Sequence, residues 1–163
     1  ATAVANALSR QDADALLSHS RTDTIVCAQM VVEYFPGCAE QDVLTGHGIS
    51  GPDLIVQMVP ETDYLDALRR ITDGLDAATL EIVGVGTCGP NEPGQRIYHL
   101  SWTATHSEGD AASTPVVGSF ESLFVDDWRI VLSYFGTLED WTAQENDPFT
   151  DSFCEAGQTP WGR

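Results

Sequence analysis

The feature that most constrains the fold is a change of hydrophobic period halfway along the chain. Residues 63–75, DYLDALRRITDGL, place apolar side chains at intervals of three and four behind an acidic first turn, which predicts a helix. After them the apolar residues alternate in four successive segments separated by Gly, Pro, Asn and Asp, which predicts four consecutive strands. The predicted strands span residues 78–88, 95–106, 115–125 and 128–135.

The first half of the chain has weaker patterns. Residues 2–18 show helical spacing with a break near Asp12, which predicts one helix or two short ones. Residues 24–35 are rich in β-branched and aromatic side chains and stop at Pro-Gly, which predicts a strand. Residues 46–60 open on a Gly-His-Gly turn that contains His47, and their two prolines are typical of the start and the end of a helix.

Helices followed by an antiparallel sheet are the α+β pattern. We expect N-terminal helices packed in the concave face of a strongly curved, mainly antiparallel sheet. The chain has 163 residues, of which 42% are apolar, so it is long enough to bury one core, and we expect a single domain over residues 1–141. Residues 142–163 are acidic and aromatic without a clear period, which predicts a tail packed on that domain.

The charge balance excludes several partners. The chain has 25 acids against 7 bases, all of them arginine, for a net charge of −18. Such a surface repels phosphate, so we expect neither nucleic acid nor an anionic membrane as a partner. No apolar run is long enough to insert into a bilayer. The glycines of GVGTCGPNEPG precede a strand rather than a helix, and no Cys/His cluster has zinc spacing, so we expect no cofactor and no metal.

Four widely spaced cysteines, Cys27, Cys38, Cys88 and Cys154, fit two disulfides in an exported protein. Four cysteines can form two disulfides in three different pairings. We favour Cys27 with Cys38, which closes a short loop, and Cys88 with Cys154, which pins the tail. Ala1 is not a natural start, so we expect that a leader has been removed. The alternative is four free thiols in a cytoplasmic protein.

The order of these elements carries a resemblance. The helix ending in DADALL, a strand, a further helix and long strands closing on GSFESLFVDDWRIVLSYFGTLEDW resemble the nuclear transport factor 2-like superfamily, whose fold is a cystatin-like cone. The closing strands are similar to those of polyketide-cyclase-like and limonene-epoxide-hydrolase-like members. The resemblance spans most of residues 2–141. It implies an apolar pocket between the helices and the concave sheet face, in families that include both enzymes and binding modules.

The resemblance does not supply a complete catalytic set. The Arg and Asp that limonene-epoxide-hydrolase-like enzymes carry on a central strand fall at or near His99 and Ser101, and their remaining acid falls on Ser133. Ketosteroid-isomerase-like members need aspartates, but the last three predicted strands contain none, and Glu121 is their only interior acid. Among the groups that are present, His99 is the best candidate for a general acid or base, with Ser101 orienting a substrate oxygen.

Two criteria disagree about which face of residues 95–106 lines the pocket. Burial favours the face with Tyr98, Leu100, Trp102 and Ala104, whereas alignment with the family favours the face with His99, Ser101, Thr103 and Thr105. We adopt the alignment and expect Tyr98, Trp102, Leu123 and Leu132 to cover the outer face in a homodimer. The predicted pocket wall then comprises Tyr34, Thr103, Val116, Phe120, Ser122, Val131, Ser133 and Phe135.

From these observations we expect an exported, noncatalytic domain that binds an apolar small molecule. The alternative is a cofactor-independent isomerase, cyclase or dehydratase that acts on an apolar small molecule by acid/base chemistry, with His99 as the proton carrier.

The predicted disulfides are tested by counting reactive thiols in the denatured protein. If both bonds form, the unreduced chain has no reactive thiol and the reduced chain has four, because each bond removes two thiolates from reaction with an alkylating reagent. Mass spectrometry after alkylation gives both numbers. Four alkylated cysteines without prior reduction contradict the disulfides and the expectation of export.

Overall fold

The computed structural model describes residues 1–27, 39, 42–51, 56–88, 97–107, 112–123 and 127–139. Within these ranges the elements are α1 (Thr2–Ser9), α2 (Ala13–Ser18), β1 (Asp23–Val26), β2 (Val43–Ser50), β3 (Val56–Val59), α3 (Glu61–Gly74), β4 (Glu81–Cys88), β5 (Ile97–His106), β6 (Thr114–Ser122) and β7 (Leu132–Thr137). The predicted tail, residues 142–163, lies outside the described residues.

The strands form one mixed sheet in the order β1-β2-β7-β6-β5-β4, with β3 paired to β2 beside this path. β4 to β7 follow one another as antiparallel neighbours, which confirms the four consecutive strands. β2 and β7 are parallel, so β7 returns to a strand from the first half of the chain and joins the two halves in one sheet. The predicted α+β class is confirmed.

The break in the opening helix is confirmed as well. Asp12 caps α2 by accepting a hydrogen bond from the Ala15 amide at 2.8 Å. Gln11, at the end of the preceding turn, has a positive φ of 56°, and its side-chain amide donates to the Leu75 carbonyl. The corner between α1 and α2 is therefore tied to the end of α3.

The helix predicted within residues 46–60 is wrong. β2 and β3 form an antiparallel pair there, with His47 opposite Val59. Pro60 does not end a helix but stands at the N-cap of α3, where its extended backbone leads into the first turn. A proline in this position is compatible with the end of one helix and with the start of the next. The pairing of β2 with other strands decides between these two structures. Of the strand predicted for residues 24–35, the described part is β1.

The core lies between the helices and one sheet face. Its largest buried side chains are Trp102, Tyr64, Phe120, Leu8, Leu16, Leu68, Leu100 and Ile130. In the β5–β6 register Leu100 lies opposite Phe120. Residues directly opposite share a face, so Leu100 and Phe120 both point toward the helices.

The same register corrects our choice of face for β5. His99, Ser101 and Thr103 alternate with Leu100 and therefore point away from the helices. Burial was the better criterion, because removing an indole and a leucine from water outweighs the burial of small polar groups. Trp102 is completely buried in the core, so its predicted place on the outer face is wrong, and the homodimer itself stays a prediction.

The tightest contact in the core gives a prediction. A methyl group at Gly118 would collide with the indole of Trp102, its cross-strand partner. Gly118→Ala should lower the free energy of unfolding by about 2 kcal/mol, the usual cost of overpacking, measured by denaturant titration. Combining it with Trp102→Phe, which removes the colliding atoms, should cost less than the sum of the two single changes. A Gly118→Ala protein as stable as the wild type would contradict this contact between Gly118 and Trp102. So would a double variant whose loss of stability equals the sum of the two single losses.

Candidate functional site

The helix side of the sheet contains a buried polar cluster centred on Tyr64. Tyr64 stands in the first turn of α3 and is buried, and its hydroxyl lies 2.8 Å from Ser133 Oγ on β7. Ser20 Oγ lies 3.3 Å from the same hydroxyl, and 2.9 Å from the Leu16 carbonyl. A backbone bridge between Ser20 and Ile130 fixes the segment after α2 close to β7. The phenol hydroxyl is therefore held by serines from two distant parts of the chain.

His47 stacks on this phenol. The two rings are almost parallel, with centroids 4.4 Å apart and an interplanar angle of 7°. The His47 side chain comes from β2, and the residue is only 3% exposed. Neither ring nitrogen has a hydrogen-bond partner. Buried polar groups are nearly always hydrogen-bonded, so His47 is an exception that requires an explanation.

The glycines beside His47 do not make the turn that the sequence predicted. A Cβ at Gly46 would lie 2.7 Å from the Val59 carbonyl oxygen, and one at Gly48 would lie 2.6 Å from Leu132 Cδ1. Both positions therefore need glycine for the close approach of β2 to β3 and to β7. The prediction of a loop is wrong, and the glycines instead allow β2 to place His47 inside the protein.

The cluster is uncharged at neutral pH. Burial lowers the pKa of His47, and the nearby Glu61 carboxylate opposes this change. Burial raises the pKa of Tyr64, although the hydrogen bonds from Ser133 and Ser20 oppose this change. The neutral imidazole offers one N–H donor and one acceptor nitrogen. Each costs roughly 1–3 kcal/mol when it is buried without a partner.

Most of the predicted pocket wall is on this side of the sheet. Ser133 joins the Tyr64 cluster, whereas the rings of Phe120 and Phe135 pack 6.2 Å and 6.0 Å from the ring of Trp102. Val116 belongs to the same core. Ser122 is buried and its Oγ accepts from the Arg129 amide, and Val131 is buried before β7. Thr103 lies on the opposite face, and Tyr34 lies outside the described residues.

The opposite face contains a second polar group of residues. His99 pairs with Glu121 across the β5–β6 ladder, and Ser101 pairs with Ser119. Tyr134 of β7 lies opposite Ser119. The structure thus brings the two predicted catalytic residues, His99 and Ser101, onto one face, but away from Phe120 and Ser133. Their catalytic roles stay predictions.

Burial controls the ionisation of this second group. It raises the pKa of Glu121 to about 8 and lowers the pKa of His99. Burial also raises the pKa of Tyr134, and the Glu121 charge acts in the same direction. At neutral pH these side chains are therefore mainly uncharged.

Three residues of these clusters were missed as site residues. Tyr64 could have been found, because it lies at helical spacing with Leu68 and Ile71 on the apolar face of α3. Glu121 also had a signal, as the only acid inside the last strands. His47 had none, since its role depends on the pairing of β2 with β7, which local patterns do not reveal.

The remaining predictions concern cysteines, metals and membranes. Cys27 is buried, and Cys38 and Cys154 lie outside the described residues, so the predicted disulfides and their pairing stay predictions. In the described ranges no three His, Cys, Asp or Glu side chains come together as a metal site would require. None of the described helices combines the length and apolarity of a membrane span.

Comparison of the chain with protein-family models, with curated proteins and with solved structures finds no significant match.

The raised pKa of Glu121 predicts a pH-dependent stability. The group takes up its proton near pH 4.5 when unfolded and near pH 8 when folded, so its favourable contribution is complete below pH 4.5 and is lost as the pH rises to 8. Glu121→Gln removes this titration. Between pH 5 and 9 the wild type should lose about 3–5 kcal/mol of unfolding free energy relative to that variant.

Denaturant titrations of both proteins across this pH range measure the difference. Glu81→Gln, an exposed strand position, is the matched control and should keep the wild-type slope. Parallel curves for wild type and Glu121→Gln contradict the burial of this carboxyl group.

Proposed function

We propose that this protein binds an apolar small molecule with one uncharged hydrogen-bonding group on the helix side of its sheet. The observation that carries this proposal is the His47 imidazole, buried against Tyr64 with both nitrogens unpartnered. A hydroxyl or carbonyl group of the ligand supplies the missing partner. The uncharged state of the cluster disfavours an ionic ligand, because a buried ion requires a counter-charge.

The neighbouring side chains suit an apolar ligand body. Ile49 follows His47 on the same face of β2, and Val59 lies opposite His47 on β3. Both are partly buried and pack against the core. Such sites usually combine a mainly apolar lining with a small number of polar groups that fix the orientation of the ligand. His47 is that polar group in the proposed site.

Binding without chemistry is the function that the cluster supports best. The Tyr64 hydroxyl is already engaged by Ser133, and no described carboxylate hydrogen-bonds to either His47 nitrogen. The alternative is a cofactor-independent isomerase, cyclase or dehydratase. The lowered pKa of His47 favours that alternative, because a neutral imidazole accepts a proton at physiological pH. His47, rather than His99, would then carry the proton, since His99 faces away from this side.

We also propose that the fold is the cone of the nuclear transport factor 2-like superfamily and that the protein is exported. The order of helices, strands, a further helix and four closing strands supports the first proposal. The four widely spaced cysteines support the second, because they fit two disulfides and such bonds persist mainly in oxidising compartments.

The binding proposal is tested with two probes that differ by one hydroxyl, 2-naphthol and naphthalene. The wild type should bind 2-naphthol about five- to tenfold more tightly, the value of one hydrogen bond of about 1 kcal/mol. In His47→Phe the preference should fall to about one, with naphthalene affinity retained. Fluorescence titration at pH 7 measures both dissociation constants.

His19→Phe is the matched control, because this histidine is partly exposed at the C-cap of α2. It should keep the wild-type preference. Circular dichroism and thermal unfolding establish that each variant is folded. A folded wild type that binds neither probe saturably, or a His47→Phe protein with an unchanged preference, contradicts the proposal. Conversion of bound 2-naphthol to another tautomer or product favours the alternative.

A further inference from the structure

The sheet face opposite to the helices has a compact polar block at its centre. His99 and Ser101 of β5 lie directly opposite Glu121 and Ser119 of β6. Directly opposed residues have Cβ atoms about 5 Å apart, so the four side chains are immediate neighbours. On the β4 side, the partners of His99 and Ser101 are Gly86 and Gly84, which have no side chains. Directly opposite the central polar block, β4 therefore presents glycine backbone.

Two hydroxyls of the central polar block point to a missing partner. Ser101 and Ser119 are each 1% exposed, and neither Oγ has a hydrogen-bond partner. A buried hydroxyl without a partner costs roughly 1–3 kcal/mol. Next to them Thr103, Glu121 and Tyr134 are only partly buried. Glu121 and Tyr134 thus lie beside the unpartnered hydroxyls at the least buried part of this block.

The charge of this sheet face and of the whole chain limits which kind of ligand can bind at the central polar block. The strands β4 to β7 carry no arginine or lysine, and the whole chain has a net charge of −18, so an anion finds no counter-charge here. Burial keeps Glu121 protonated at neutral pH. A protonated carboxyl group presents a donor and an acceptor side by side in one plane. The N–H and C=O of a cis amide, as in a lactam ring, have the complementary arrangement.

We propose that the central polar block is a second binding site, in which Glu121 pairs with the cis-amide edge of an uncharged lactam-type ligand and Ser101 and Ser119 supply further hydrogen bonds. This site is separate from the one beside His47, because the two lie on opposite faces of the sheet. In this site Glu121 recognises the ligand by hydrogen bonds and transfers no proton.

The test uses 2-pyridone and N-methyl-2-pyridone, which differ in the amide N–H. At pH 6.5 the wild type should bind 2-pyridone about tenfold more tightly, as measured by isothermal titration calorimetry. Glu121→Gln should keep this preference, because a carboxamide also has one donor and one acceptor in a plane. Glu121→Leu, which has neither, should lose it.

The serines provide a second, independent measurement. Ser101→Ala combined with Ser119→Ala should weaken 2-pyridone binding at least fivefold. Without ligand it should leave the protein as stable as the wild type or more stable, since unpartnered hydroxyls are removed. This double variant keeps the proposal falsifiable if Glu121→Leu does not fold.

Equal affinity of the wild type for both pyridones overturns the proposal, as does loss of the preference in folded Glu121→Gln. A double serine variant that is destabilised and binds 2-pyridone normally also overturns it, because the two hydroxyls then bond only to each other. His47→Phe should bind 2-pyridone as the wild type does. The failure of this site and the failure of the site beside His47 are therefore distinguishable.

Discussion

The burial of Trp102 is the constraint on which both faces of the sheet depend. Side chains alternate along a strand, so placing this indole under the helices fixes the direction of every other side chain of β5. The register then extends this choice to β6 and β7, where Gly118 accommodates the indole and Phe120 lies beside it. The polar residues between them are left on the other face. A one-residue slip would exchange the two faces, and the large loss of buried apolar area excludes it.

The two polar clusters share one property: both keep ionisable side chains buried in a strongly acidic protein. Each holds histidine, tyrosine or carboxyl groups away from water, and burial shifts their pKa values toward the uncharged forms. The ion pairs of Arg69 and Arg129 are formed with aspartates outside both clusters. Recognition by uncharged hydrogen bonds is therefore the chemistry that we propose for both clusters. On the helix side it is combined with an apolar lining, and on the outer face with neighbouring hydroxyls.

Local patterns determined much of the fold. The alternation after α3 predicted four strands, and the apolar stripe of residues 63–75 predicted α3, because both elements bury a regular face against a neighbour. β2 and β3 were missed because glycines and prolines dominate their sequence, while distant pairing stabilises them. The site depends even more on such pairing. Ser133 was placed on the correct face, but His47 meets Tyr64 only after β2 has joined β7.

The most direct test of the central claim is a crystal structure of the protein soaked with 2-naphthol. We expect electron density for the naphthol rings on the helix side of the sheet, with the naphthol oxygen about 2.7–3.2 Å from one nitrogen of His47. Tyr64 should remain bonded to Ser133 in that structure. A His47 ring whose nitrogens are both bonded to protein groups, with no naphthol beside it, would contradict the claim.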